Sequence, residues 1–296
     1  MNRKTMRGLG NAFKTAVLLG ALSALILLVG RILGGATGLL VAGLMALGMD
    51  GVAYFYSDKL ALRAMRAQPV TVHQAPRLHA VVAELASRRG LPMPRLYISP
   101  SSRPNAFATG RSPSHAAVCV TTGILDVLDE RELRGVLGHE IRHVGNRDIL
   151  IASVAAGLAS TIMILVDLAQ LGALFGFGTS DEASGPGFLE ILLIALLGPL
   201  AAGLIQAAIS RSREYAADAS GPEITGDPIA LASALAKIER AAQARPLPAT
   251  GRTGPVNALM IVNPFSGRTA MRMFSTHPDT RDRIARLRAM VPGHRM

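Results

Sequence analysis

Four apolar stretches, separated by polar segments, dominate the pattern of hydrophobic positions along the 296-residue chain. A helix needs about 20 apolar residues to cross a bilayer. The stretches approach or exceed that length and cover residues 15–30, 32–56, 149–177 and 188–209. Gly34 and Gly35 predict a tight turn between the first two. The pattern therefore predicts four transmembrane helices arranged as two hairpins.

A cleaved signal peptide is the competing interpretation of the first stretch. A basic start followed by an apolar middle is typical of such leaders. No convincing small-residue cleavage site precedes the next apolar run, however. We therefore favour a first span that stays in the protein.

The polar segments carry shorter periodic elements. Periodicity predicts helices at 76–89, 229–240 and 279–290, and short apolar runs predict strands at 95–99 and 116–121. Residues 105–110 are extended, and 244–254 form a loop rich in Pro, Gly and Arg. The predicted fold class is mainly α with a small β-sheet (α+β).

Composition and charge agree with a membrane protein. Hydrophobic residues make up 50% of the chain and the formal net charge is +11. Arginines beside an anionic membrane leaflet account for such a charge. Aromatic interleaving typical of nucleic-acid binding is missing, so we expect no nucleic-acid partner. The single cysteine, Cys119, excludes an internal disulfide and is expected to be a small core residue.

Basic residues in short flanks predict the orientation of the spans. They are concentrated in the N-terminal tail, after the second stretch and after the fourth, at Arg3, Lys4, Arg7, Lys14, Lys59, Arg63, Arg66, Arg211 and Arg213. The loop between the third and fourth stretches instead holds Asp181 and Glu182 and no basic residue. Both termini and the catalytic segments are therefore expected in the cytoplasm.

Candidate chemistry lies in the five residues from His139 to His143. On a helix, histidines four positions apart share a face and can hold one metal ion. Glu140 can then act as the general base toward a water at the metal. Asp129 as a cap, followed by an acidic first turn, predicts that helix. A chance match on an amphipathic helix is the alternative interpretation.

A third ligand candidate lies downstream, in a segment with helical propensity. Catalytic zinc takes three protein ligands and keeps one position open for water. Glu214 can supply the third ligand, and Asp218, one turn later, can hydrogen-bond a ligand histidine and fix its tautomer. The alternative is a solvated helix end with one Glu–Arg pair. The metal interpretation places the site at the cytoplasmic membrane face, because His143 precedes the third stretch and Glu214 follows the fourth.

Four motifs, in this order, resemble the HtpX family of membrane-embedded zinc metallopeptidases, relatives of the CAAX prenyl proteases. They are residues 104–110, 139–143 together with 146–148, 214–218 and 276–278. Arg142 departs from the family pattern, in which a small residue such as Ser is usual. Helical geometry points Arg142 away from the metal face, toward lipid phosphate or an acidic neighbour.

The resemblance implies a zincin-like (gluzincin) catalytic domain with one Zn²⁺ per subunit, held by His139, His143 and Glu214. It implies catalytic roles for Glu140, for His277 as a donor to the oxyanion, and for Arg283 behind His277. It further implies an edge strand that binds the substrate backbone through Asn105, Ala106, Phe107 and Ala108. An ordinary loop is the alternative interpretation of that last segment.

The expected organisation is two transmembrane hairpins and a divided catalytic domain. The hairpins are residues 1–56 and 149–209, the first catalytic part with sheet and metal helix is 57–148, and the second part with the third ligand is 210–296. The resemblance implies a multi-pass endopeptidase of the bacterial inner membrane. Its partners would be the lipid bilayer and polypeptide substrates, above all misfolded or damaged membrane proteins.

Two other functions are weighed against this expectation. A prenyl-peptide protease is disfavoured because those relatives form their chamber from more spans. A catalytically silent scaffold or substrate-binding adaptor, retaining a metal site, is the alternative from another class. Degenerate peptidases usually lose the general base or a ligand, whereas here Glu140 and all three ligand residues are present.

Overall fold

The computed structural model describes residues 3–146, 148–154, 211–244, 261 and 278–291. Its helices are α1 (Arg3–Ala64), α2 (Pro76–Arg88), α3 (Thr122–Val127), α4 (Glu130–Gly145), α5 (Arg211–Thr225), α6 (Pro228–Ala244) and α7 (Thr280–Ala289). Its strands are β1 (Gln68–Pro69), β2 (Arg95–Ser99), β3 (Ala106–Thr109) and β4 (Ala117–Thr121). The mainly α class with a small sheet is confirmed. Nearly all of the third predicted span, the whole fourth span, the loop after α6 and His277 lie outside the described residues.

Helix α1 is a hairpin and not a single rod. In a straight α-helix, Ser23 and Asp50 would lie about 40 Å apart. Instead, the Ser23 hydroxyl donates to Asp50 Oδ2 at 2.6 Å. Gly35 has a φ of +58°, which glycine adopts without a steric penalty. The chain therefore reverses at Gly35, which confirms the predicted turn.

The second arm of α1, Gly35–Ala64, is long and apolar enough to cross a membrane. Only 17% of its most apolar window is buried. Large apolar side chains are exposed along it, at Leu39, Leu40, Val41, Leu44, Met45, Leu47, Val52, Phe55 and Tyr56. Contiguous apolar surface of this kind marks a contact with lipid or with another protein. Within the described part of the chain, this arm is the one candidate span.

The four strands form a mixed sheet in the order β1-β2-β4-β3. Strands β2 and β4 run parallel with Leu96 opposite Val118, and β3 pairs antiparallel with β4. Strand β4 is buried along its whole length. Its side chains alternate between two clusters, as the period of a strand requires. Strand β3 lies at the edge of the sheet formed by the described residues.

The two faces of β4 bury different partners. Val118 and Val120 join the main core under α2 and α4, whereas Cys119 packs beside Phe107 and the end of α1. Burial raises the pKa of the Cys119 thiol to about 12. The thiol is therefore neutral at physiological pH and serves as a small core residue, as predicted.

Helix α4 is the centre of the fold and begins as predicted at a capping aspartate. The Asp129 carboxylate accepts from Glu132 N at 2.8 Å, and Glu132 Oε2 accepts from Asp129 N at 3.1 Å. This reciprocal capping box satisfies donors that the first turn leaves unpaired. Glu132 also accepts from Lys237 Nζ at 2.6 Å, which ties the start of α4 to α6.

Two glycines let α5 and α6 approach α4 closely. A Cβ at Gly135 would lie 2.8 Å from the Leu231 backbone nitrogen on α6. A Cβ at Gly138 would lie 2.6 Å from the Thr225 side chain on α5. Both distances are shorter than any normal contact. Gly138 therefore sets how closely the helix with His139 meets the helix with Glu214, and Gly135 sets how closely α6 approaches.

Candidate metal centre

Three donor groups converge between α4 and α5. His139 and His143 lie one turn apart on α4, and their Nε2 atoms are 3.2 Å apart. Glu214, near the start of α5, places one oxygen 3.5 Å from His139 Nε2 and the other 3.5 Å from His143 Nε2. Among the described residues, this is the group whose donor atoms can hold a metal ion.

The spacing of the donor atoms fits zinc. Tetrahedral Zn²⁺ with ligand bonds of usual length holds its donor atoms about 3.3–3.4 Å apart. The two histidine nitrogens are 3.2 Å apart, close to that requirement, and each of them lies 3.5 Å from a different oxygen of the Glu214 carboxylate. Three protein donors also leave one tetrahedral position for water or substrate, which is the pattern of a catalytic zinc site.

A buried carboxylate lies next to His139. His139 Nδ1 lies 3.0 Å from Asp218 Oδ1, one turn along α5 from Glu214. Burial by itself would raise the pKa of Asp218, but the guanidinium of Arg283 holds it at about 2. Asp218 is therefore ionised, and a carboxylate at this position favours the His139 tautomer with its proton on Nδ1, which leaves Nε2 free for a metal ion.

The electrostatics of His139 show that its surroundings favour a cation. Burial would lower the pKa of His139, but the carboxylates of Asp218 and Glu214 raise it to about 9. The site therefore stabilises positive charge between these groups. A divalent cation satisfies the same carboxylates, because it can replace the proton on the imidazole.

Arg283 lies behind Asp218, where no solvent reaches it. Its Nε and Nη2 donate to the two Asp218 oxygens, each at 2.7 Å, and its Nη1 donates to the Ile261 carbonyl at 2.7 Å. Helix α7 brings it there, and Arg286 on the same helix stacks over the Tyr215 ring at 3.9 Å. Arg283 therefore adjoins the metal site through Asp218, and its Nη2 also lies 4.0 Å from Glu214 Oε2.

A second carboxylate faces the other ligand histidine. His143 Nδ1 lies 3.3 Å from Asp148 Oδ2, which also accepts from Arg142 Nη1 at 2.7 Å. The Arg142 Nε donates to the Ser220 hydroxyl on α5 at 2.8 Å. Arg142 is 3% exposed. It meets an acidic neighbour, which was one of its two expected environments, but the expectation that it points away from the metal site was wrong, because that neighbour faces His143.

Glu140 joins the metal helix to the edge strand. It is buried, and its Oε2 accepts from the Ala108 backbone N–H at 2.9 Å. Burial raises the pKa of Glu140 above its ordinary value. A carboxylate with a raised pKa binds a proton more readily, which suits a general base that must later return that proton.

Strand β3 presents alternate backbone groups to its outer edge. Thr121 N donates to the Asn105 carbonyl at 3.0 Å, so residues 105, 107 and 109 direct their backbone groups toward β4. Ala106 and Ala108 therefore direct theirs away from β4. The extended segment predicted at 105–110 is a strand here, not an ordinary loop.

Both ends of β3 are anchored. The Asn105 side-chain oxygen accepts from Ile261 N at 3.2 Å. At the other end, the Ser153 hydroxyl accepts from Gly110 N at 3.1 Å and lies 2.7 Å from the Thr109 hydroxyl. Ser153 belongs to the helical segment 148–154, where the third predicted span begins. The edge strand is thus tied to the start of that segment.

The structure brings the predicted residues together and adds two that sequence reasoning did not place in the site. Glu140 and the three ligand candidates share one cluster, and Asp218 contacts His139 as expected. Arg142 and Asp148 were not assigned to the site, although Asp148 faces His143 Nδ1 and Arg142 donates to Asp148. The available signal was an aspartate five residues after a ligand histidine, just past the end of its helix.

Residues 72–291 match the family model described as Peptidase family M48. A Protease HtpX homolog from Syntrophobacter fumaroxidans is 49% identical over 288 residues, which cover 95% of this chain and 100% of that protein. A Protease HtpX homolog from Persephonella marina is 50% identical over 282 residues, covering 95% of this chain and 98% of that protein.

The fold is similar to the crystal structure of S. mikatae Ste24p. The TM-score is 0.52 at 17% sequence identity, and the alignment covers 97% of this chain and 67% of that chain. At 17% sequence identity, this comparison shows a similar fold and nothing more.

Proposed function

Since this chain belongs to peptidase family M48 and gathers His139, His143 and Glu214 as a metal site, we propose that it is a zinc endopeptidase of the bacterial inner membrane. One Zn²⁺ per subunit is held by these three residues. The observation that carries the proposal is the convergence of two imidazoles and one carboxylate, whose ligand atoms all lie within 4.8 Å of one another. A catalytically silent scaffold is expected to have lost the general base or a ligand, whereas Glu140 is present in this chain.

The chain's own residues perform the proton transfers. Bound zinc would supply a Lewis acid that polarises the scissile carbonyl and activates a water. Glu140 takes the proton of the attacking water and passes it to the leaving amine. Its bond from Ala108 N holds the carboxylate beside the edge strand. His277 is proposed as the donor to the oxyanion, and Arg283, expected behind it, is proposed to position His139 through Asp218.

Strand β3 is proposed to bind the substrate backbone by adding a strand to its outer edge. Ala106 and Ala108 direct backbone groups to that edge, while Asn105 and Phe107 are held from the inner side. Main-chain hydrogen bonds require the substrate backbone to be extended, but they depend little on its side chains, so many sequences can bind. Because Glu140 is bonded to Ala108, a substrate paired here would lie beside the general base.

The membrane is proposed to lie against the exposed arm of α1, with the catalytic parts 57–148 and 210–296 at its cytoplasmic face. Arg111, just after β3, lies over the Phe55 ring at 5.6 Å, and Lys59 lies over the Tyr56 ring at 4.7 Å. Aromatic and basic side chains together are typical of a membrane–water boundary. The edge strand would then lie next to the bilayer surface.

This position suits polypeptides presented at the membrane, and we propose misfolded or damaged membrane proteins as substrates. An edge strand accepts only extended, unpaired chain, which folded domains do not offer. Two transmembrane hairpins, at 1–56 and 149–209, would hold the divided catalytic domain in place. The proposed biological role is quality control of membrane proteins.

The test compares detergent-purified wild type with Glu140→Gln and His139→Ala. Wild type should contain about one zinc per chain and cleave an unfolded protein such as casein. Glu140→Gln should keep the zinc and lose cleavage, because only the base is removed, whereas His139→Ala should lose both. Metal content is measured by elemental analysis, and cleavage is followed by gel.

Arg131→Ala is the matched control, since this residue is on α4 and pairs with Asp227 at the surface. It should behave as wild type. Equal cleavage by wild type and Glu140→Gln, or purified wild type that takes up no zinc, would support the scaffold instead.

A further inference from the structure

Arg142 occupies an unusual place for an arginine, because it is buried beside the metal ligands. It stands one residue before His143, and a helix turns by about 100° per residue, so its Cα–Cβ bond points to the flank of the metal face. Its long side chain then reaches past the end of α4 to Asp148. Arg142 is 3% exposed, and an arginine is rarely buried to this extent unless its charge is paired.

The guanidinium contacts groups in different parts of the fold. Its Nη1 donates to Asp148 Oδ2 at 2.7 Å, and its Nε donates to the Ser220 hydroxyl at 2.8 Å. Asp148 faces His143, while Ser220 lies on α5, the helix that carries Glu214. One side chain therefore contacts both the aspartate beside His143 and the helix that carries Glu214.

The same arrangement recurs at the other histidine. There Arg283 holds Asp218, and Asp218 lies 3.0 Å from His139 Nδ1. At His143, Arg142 holds Asp148, whose Oδ2 lies 3.3 Å from His143 Nδ1. Each ligand imidazole is thus backed by a carboxylate, and each carboxylate by a buried arginine. Outer partners of this kind fix the orientation of ligand histidines.

We propose that Arg142 is a positioning residue of the metal centre, which acts by holding Asp148 against His143 Nδ1, while its bond to Ser220 fixes the guanidinium itself. A guanidinium suits this task because its N–H donors are fixed in one plane and can donate to acceptors on two sides at the same time. Without Arg142, the Asp148 carboxylate would stay buried but would lose the positive charge of the guanidinium that now donates to it. His143 would then lose the rigid partner that directs its Nε2 to the metal.

This inference rests on the zinc site proposed above, and its test is zinc affinity rather than activity. Zinc is titrated against a competing chelator in full-length, detergent-purified protein. The variants are Arg142→Met, Asp148→Asn and the double variant. Arg142→Met is expected to weaken zinc binding about 10- to 100-fold, the usual range for loss of an outer partner. Asp148→Asn should weaken it by a similar factor and, as an amide of the same shape, should preserve the fold.

The double variant separates positioning from simple packing. If Arg142 acts through Asp148, adding Arg142→Met to Asp148→Asn should cost little further affinity, within about twofold. Arg142→Lys should recover part of the affinity lost in Arg142→Met, since it restores a charge to Asp148. Arg131→Met is the control on the same helix, and it should bind zinc as wild type does.

Three results would overturn the proposal. They are wild-type zinc affinity in Arg142→Met, wild-type affinity in Asp148→Asn, and losses that multiply fully in the double variant. Wild type that binds no zinc would instead defeat the peptidase function itself. The two failures are therefore distinguishable in one titration series.

Discussion

Asp218 is proposed to orient His139, because its carboxylate lies 3.0 Å from His139 Nδ1. Replacing Asp218 with Asn removes the charge that faces Nδ1 and leaves Arg283 buried beside a neutral amide. We expect Asp218→Asn to weaken zinc binding about 10- to 100-fold. Chelator competition measures this loss. Glu223→Gln, at an exposed position of the same helix, should bind zinc as wild type does. Unchanged affinity in Asp218→Asn would show that Asp218 does not orient His139.

His277 is expected to act on the transition state and not on the metal. His277→Ala should therefore lower kcat while the zinc content stays at the wild-type level, because a donor to the oxyanion matters only as the intermediate forms. Steady-state kinetics together with elemental analysis give both values. An unchanged kcat would remove His277 from this role.

Residues of the metal centre differ in how far the sequence predicts them. His139 and His143 follow from helical period alone, and Glu214 and Asp218 follow from a second helical segment with the same period. Asp148 is not marked by any helical period. It lies beyond the end of α4, and its direction depends on the path that the chain takes after Asn146. Only the folded structure shows that it meets both His143 and Arg142.

Among the elements, α4 owes its position to glycines where neighbouring helices cross. Gly135→Ala places a Cβ 2.8 Å from the Leu231 backbone nitrogen, so α6 must shift. We expect the variant to lose about 1–3 kcal/mol of stability, as is usual for overpacking. Thermal unfolding of the purified protein measures the difference from wild type.

Gly145→Ala is the matched control on the same helix. The atoms nearest to its new Cβ belong to side chains, the first at 3.4 Å, and can move aside. This variant should unfold close to the wild-type temperature. If both variants unfold alike, close packing at Gly135 does not determine the position of α4.

The longer elements were predictable and the shortest were not. Helices α2, α4 and α7 and strands β2 and β4 lie within a few residues of the predicted ranges, because each repeats its apolar pattern. Strand β1, with two residues, and α3, with six, are too short to repeat a pattern. Pairing with β2 and packing beside β4 determine them instead.

At the scale of the whole molecule, the orientation in the membrane remains a prediction from charge. Reporter fusions should place both termini in the cytoplasm and the loop with Asp181 and Glu182 outside. The physical reason is the excess of Lys and Arg in the other short flanks, which the translocation machinery retains inside. Fusions after residue 64 and after residue 182 should therefore give opposite signals. A C-terminus on the outer side would contradict the topology.

The sequence by itself determined the features that depend on local period and composition. These are the apolar stretches, the turn at Gly35, the capped helix α4 and the chemistry of its histidines. Tertiary structure decided which distant groups meet: Glu214 opposite the histidines, Glu140 against Ala108, and a buried arginine behind each aspartate. The physical reason is that a hydrogen bond requires its donor and acceptor atoms to lie about 3 Å apart. Such contacts exist only after packed helices and strands have brought residues far apart in the chain to that distance.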